Sequence, residues 1–153
     1  MEIGTLTLHR YNGDEIYAVS SAKIATAEGE YENEIAVSFE VETAKTPLEI
    51  TSDAQEPYHN PSAEWNLTCS EFDLDESVGR TFSIPEGDPE GEWLARLYYF
   101  EHEPIDNNLI EILAYDGDYL TVRITGTAMD VNIYDGSVPP TTVVLEARFP
   151  VKE

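Results

Sequence analysis

The sequence predicts an all-β protein, an antiparallel β-sandwich of roughly nine or ten strands, with a calycin-like closed β-barrel as the alternative. Three observations carry that reading. Apolar residues recur at every second position, helical i, i+3, i+4 stripes are scarce, and turn-forming residues punctuate the chain at short intervals. At 153 residues the chain fits a single acidic β-domain, 1–153, able to bury roughly two-thirds of the surface it exposes when unfolded. No internal repeat and no interdomain linker is visible.

Residues 6–19 read as a hairpin. Asn12-Gly13 supplies the positive-φ pair of a two-residue type I′ turn. Counting back from that turn pairs Arg10 with Glu15, Leu8 with Tyr17 and Leu6 with Val19, which puts the apolar residues on one face. Residues 20–27 suggest a short helix, against which their β-branched and small residues weigh.

Residues 34–42 give the clearest strand. Ile35, Val37, Phe39 and Val41 share one face, while Glu34, Ala36, Ser38, Glu40 and Glu42 share the other. Short strands follow at 48–51, 65–69 and 80–84. Residues 93–100 are apolar on both faces, which predicts a strand that is central or at an interface.

A second hairpin spans 109–128. A three-residue loop of Tyr115-Asp116-Gly117, with the glycine left-handed, sets Ile112 against Leu120 and Ile110 against Val122. Residues 143–149 close the pattern, with Val143, Leu145, Ala147 and Phe149 alternating against Val144, Glu146 and Arg148. Loops fall at 52–63, 85–91, 103–108 and 130–140, where Gly, Pro, Asn and Asp gather.

The composition is strongly one-sided: 31 acidic residues stand against 8 basic ones, a net charge of −23. Such a surface repels phosphate backbones and anionic headgroups, so neither nucleic acid nor membrane is an expected partner. The N-terminus lacks the basic and apolar runs of a secretory signal, and no apolar stretch approaches the ~20 residues of a membrane-spanning helix. The expected compartment is the cytoplasm. Cys69 is the only cysteine, which precludes an intramolecular disulfide and reads as a small buried hydrophobe.

Enzyme chemistry finds no anchor in the sequence. A nucleophile elbow, a phosphate-binding loop and a dinucleotide fingerprint are all missing, and His9, His59 and His102 are dispersed, so no catalytic residue, cofactor or transition-metal site is assigned. Calcium is the more serious metal alternative, because hard cations take oxygen ligands from acidic loops. Its candidates are residues 86–92, Asp73-Leu74-Asp75-Glu76 and Asp116-Gly117-Asp118, none of which follows the twelve-residue EF-hand pattern.

Two regions stand out as contact sites. Glutamates at alternate positions lead into the clearest strand, so that an extended chain would align Glu28, Glu30, Glu32, Glu34, Glu40 and Glu42 on one face. Like charges aligned in this way repel unless water, salt or a basic partner relieves them. The second region is the loop of Glu101, His102, Glu103, Asn107 and Asn108, where a histidine between carboxylates neighbours two amides. The reading that follows is a non-enzymatic interaction domain whose acidic face engages a basic protein, as an inhibitor or immunity-type protein would. The alternatives are a salt-adapted β-domain with ligand or protein binding at 101–108, and a calcium-dependent module.

Overall fold

A computed structural model describes residues 3–28, 34–52, 61–84, 94–99, 102–129 and 137–151. The fold is all-β and not closed into a barrel. Eleven strands hydrogen-bond in the order β6-β9-β10-β11-β1-β2-β3-β5-β7-β8, with β4 also on β2, and all of the pairings are antiparallel.

The strands are β1 (Gly4–Arg10), β2 (Gly13–Glu28), β3 (Ile35–Thr43), β4 (Glu49–Ile50), β5 (Ser62–Cys69), β6 (Thr81–Ser83), β7 (Ala95–Tyr98), β8 (His102–Pro104), β9 (Asp106–Tyr115), β10 (Tyr119–Ala128) and β11 (Thr141–Pro150). One helical turn, α1 (Leu74–Ser77), lies between β5 and β6. Strand β2 belongs to both layers. Its first half pairs with β1 and β4 in sheet I, and its second half pairs with β3 in sheet II. The changeover falls at a register shift between Val19 and Ser21, where an extra residue bends the strand.

The core fills the space between the layers. Phe39 on β3 meets Phe149 on β11 edge-on, with ring centroids 5.3 Å apart. Trp65, Leu97, Ile110, Ile124 and Leu145 are fully buried around them. Each such aliphatic side chain contributes about 1.5–3 kcal/mol relative to exposure. An exposed ion pair contributes only about 0–1 kcal/mol, so burial and not surface charge holds the layers together.

Several local expectations change. Residues 20–27 are strand, not helix, because Ala22 and Ile24 alternate inward opposite Val41 and Phe39. The first hairpin turns at Tyr11-Asn12, and neither residue takes positive φ, so the turn is not type I′. The register moves by two residues, Leu8 facing Glu15 and Leu6 facing Tyr17, and a shift of two preserves the faces. Gly13 serves a different purpose: at φ 140 it lets the Thr51 carbonyl approach to 2.3 Å from where a Cβ would stand.

In the second hairpin Gly117 does take positive φ, 97. A bulge beyond the turn then sets Ile112 against Val122 and Ile110 against Ile124, again two residues from the expected pairs with the faces kept. Strand β7 is next to the edge, not central, since only β8 lies beyond it. Its outward Tyr98 is 40% exposed. Trp93 and Phe100, which made the stretch look apolar on both faces, lie outside the described residues.

Candidate functional site

The outer face of sheet II carries a charged surface hollow. Alternation along each strand puts Lys23, Glu40, Glu64 and Arg96 outward, and the registers place them in one row across β2, β3, β5 and β7. The charges read plus, minus, minus, plus. A parallel row holds Ser21, Glu42, Ser62 and Tyr98. Together they line an open hollow of about 390 Å³.

The two central carboxylates differ in their surroundings. Glu64 Oε1 accepts from Asn66 Nδ2 at 3.0 Å and from Arg96 Nη2 at 3.4 Å. Glu40 stands directly opposite Glu64 in register, and like charges so placed destabilise a pair of strands. Lys23 faces Glu40 from the other side. Among the described residues, no ion pair or hydrogen bond engages the carboxylate of Glu40 or of Glu42, and both residues are exposed.

The expected row of glutamates is only partly assembled. Glu40 and Glu42 share the outer face and Glu34 stands half-buried just ahead of β3. Glu28 pairs with Ile35 at the end of β2 and so belongs to the opposite, inward-facing side of the sheet. Even-numbered residues face inward in the second half of β2 and outward on β3, so the alternation does not carry over from one strand to the next. Glu30 and Glu32 lie outside the described residues.

The second expected region divides in the same way. Asn108 is buried, 5% exposed, and is not a contact residue. Its side chain accepts from Trp65 Nε1 at 3.0 Å and donates to the Ile105 carbonyl at 2.7 Å. The alternation of β9 explains this, because Asn108 shares the inward face of Ile110 and Ile112. Asn107 is exposed at φ 56 and donates to Thr127 Oγ1. Glu103 is half-buried on β8. The backbone of His102 pairs with Tyr98, which brings that strand to the border of the hollow. Glu101 lies outside the described residues.

Among the described residues, one carboxylate in each of two acidic clusters proposed for calcium is otherwise engaged. Asp73 caps α1 by accepting from the Glu76 amide at 2.9 Å. Asp116 accepts from the amides of Asp118 and Tyr119, and these bonds, with Arg148 beside it, hold its carboxyl below the ordinary carboxylate range. Among the described residues no three acidic, histidine or cysteine side chains converge as a metal site would require. Residues 86–92 lie outside them.

A buried polar cluster escaped the sequence reading. Glu15 is fully enclosed, and its Oε1 accepts from the hydroxyls of Tyr17 at 2.7 Å and Tyr99 at 2.8 Å. Its Oε2 accepts from Arg10 Nη1 at 3.0 Å and Ser52 Oγ at 3.1 Å. Burial, reinforced by the carboxylate, pushes both phenols well above their ordinary values. The sequence set Arg10 directly opposite Glu15; in the observed register Arg10 stands opposite Gly13 and reaches Glu15 diagonally. Burial likewise raises the Cys69 thiol.

Among the described residues no helix is long and apolar enough to cross a membrane. Comparison with known proteins gives no significant match to a family model, a curated protein or a solved structure. The class is set by the fold alone: an open, two-layered, acidic β-sandwich with a charged hollow on one outer face.

Proposed function

We propose that this chain is a non-enzymatic binding domain, and that the outer face of sheet II takes a basic segment of a protein partner. The supporting observation is the register of Glu40 against Glu64, with Glu42 one alternation along, over an open hollow of about 390 Å³. A cationic side chain lodged there relieves the repulsion between the opposed carboxylates, and a carboxylate that meets an arginine does so with paired hydrogen bonds. The net charge of −23 draws a basic partner in from a distance, an effect that salt weakens.

Calorimetric titration with an oligoarginine peptide tests the reading. Glu40→Gln with Glu42→Gln is expected to weaken binding about tenfold, while Glu49→Gln with Glu71→Gln, the same charge change at exposed sites elsewhere, leaves it within about twofold. Equal effects from the two pairs would refute a localised site.

Acid is also displayed away from the hollow, at Glu49, Glu71, Asp75, Glu76 and Glu146. That spread supports a second contribution of the charge, which is solvation of the domain in salt.

A further inference from the structure

We infer that Glu15 is a positioning residue for the β7 wall of the hollow, acting through Tyr99. This rests on the binding role proposed for that hollow. The carboxylate of Glu15 lies wholly inside the sandwich and takes four donors from separated parts of the chain: Arg10, Tyr17, Ser52 and Tyr99. A carboxylate offers about four acceptor positions, so the group is fully used where it sits. Three of its donors belong to β1, β2 and the segment after β4. Tyr99 alone comes from sheet II.

Tyr99 directly follows β7, and the alternation of that strand turns Ala95, Leu97 and Tyr99 inward while Arg96 and Tyr98 face the hollow. Strand β7 has only four residues, and the single strand outside it, β8, has three. Short strands near an edge open locally at low cost. The hydroxyl of Tyr99 pins the end of β7 to a carboxylate held by the other sheet, across 84 residues of chain. Because Tyr98 and Tyr99 are consecutive, fixing the inward ring fixes the direction of the outward one. The Glu15 cluster therefore holds Tyr98 and Arg96 in place without touching the hollow.

Two phenylalanine variants separate this role from general support. Tyr99→Phe and Tyr17→Phe each delete one hydroxyl to the same Oε1 and keep the ring. Tyr99→Phe is expected to speed amide exchange across Ala95–Tyr98 about tenfold and to weaken the oligoarginine peptide about fivefold. Tyr17→Phe is expected to leave both unchanged. Equal responses of the two variants would overturn the proposal. Should Tyr99→Phe not fold, exchange of the unmodified protein in low denaturant decides: β7 and the amides of Glu15 and Tyr17 open together if the latch exists, and separately if it does not. A wild-type protein that ignores the peptide counts against the binding role, while the exchange comparison still tests the latch.

Discussion

The indole nitrogen of Trp65 donates to Asn108 Oδ1 across the core at 3.0 Å, joining β5 of one sheet to β9 of the other. Both residues are buried, and the adjoining corner is tight: a Cβ on Gly126 would stand 2.6 Å from Asn108 Oδ1 and 2.5 Å from Ile105 Cγ2. The amide is thus a tie between layers where two chain segments cross.

Trp65→Phe removes the donor and leaves Asn108 Oδ1 buried without it. The orphaned group costs about 1–3 kcal/mol, to which the smaller ring adds a cavity cost. Urea unfolding should show a lower midpoint with an unchanged slope. Asn107→Gly is the contrasting change, because Asn107 is exposed at φ 56 and glycine accepts that backbone more readily. Little net change in stability is expected from it, because relief at the positive φ is set against loss of the exposed hydrogen bond to Thr127 Oγ1.

The faces of the strands were legible in the sequence and the registers were not. Alternation assigns Val37, Phe39 and Val41 inward and Glu40 and Glu42 outward, and the structure agrees. Pairing depends on turn details and bulges. Both hairpins settle two residues from the expected register, since a shift of two leaves every apolar side chain on its proper side. The hollow shares this difficulty. Glu64, Arg96 and Tyr98 join Glu40 only through the pairing of β3, β5 and β7, which no single strand encodes. Asn108 was misplaced for a simpler reason: the alternation of Ile110 and Ile112 extends back to it, but its amide suggested a surface.

Gly13 is expected to resist replacement. An alanine Cβ would lie 2.3 Å from the Thr51 carbonyl oxygen, and φ of 140 is unfavourable for any L side chain. Gly13→Ala should cost about 2–4 kcal/mol, a value that combines strain with a steric clash. Amide exchange will show whether the damage is local, because the Thr51 amide, now bonded to the Asp14 carbonyl at 2.8 Å, should lose protection first.

Alkaline pH should weaken the fold through the Glu15 cluster. Tyr17 and Tyr99 have raised values when folded, first because burial disfavours the phenolate and then because Glu15 lies beside them. A raised folded value means that the contribution to stability is complete below the unfolded value of about 10 and is lost as pH climbs above it. The drop in urea midpoint between about pH 9 and pH 11 should be smaller in Tyr17→Phe and in Tyr99→Phe than in the wild type. Neither substitution should change the tyrosinate absorbance of the folded protein near pH 10, since burial keeps both replaced phenols protonated there. A loss of that absorbance would show that the replaced ring is open to water.

Salt should stabilise the protein, for reasons that can be weighed against each other. The net charge of −23 sets exposed carboxylates against one another over much of the surface, and raising ionic strength from about 0.1 to 1 M shortens the screening length from about 10 to 3 Å. The same salt weakens favourable pairs such as Arg123 with Glu111 and Glu146, at 3.7 and 3.4 Å, and Arg148 with Asp116 at 3.3 Å. Those pairs are partly exposed, and each contributes about 0–1 kcal/mol at most. Repulsion among many unpaired carboxylates therefore outweighs them, and the melting temperature should rise with sodium chloride. Arg123→Gln should leave the rise almost intact, whereas Glu40→Gln with Glu42→Gln should reduce it, because it removes two of the charges whose repulsion the salt relieves. A melting temperature that falls with salt would mean that the few ion pairs, and not the self-repulsion, dominate the surface electrostatics of this domain.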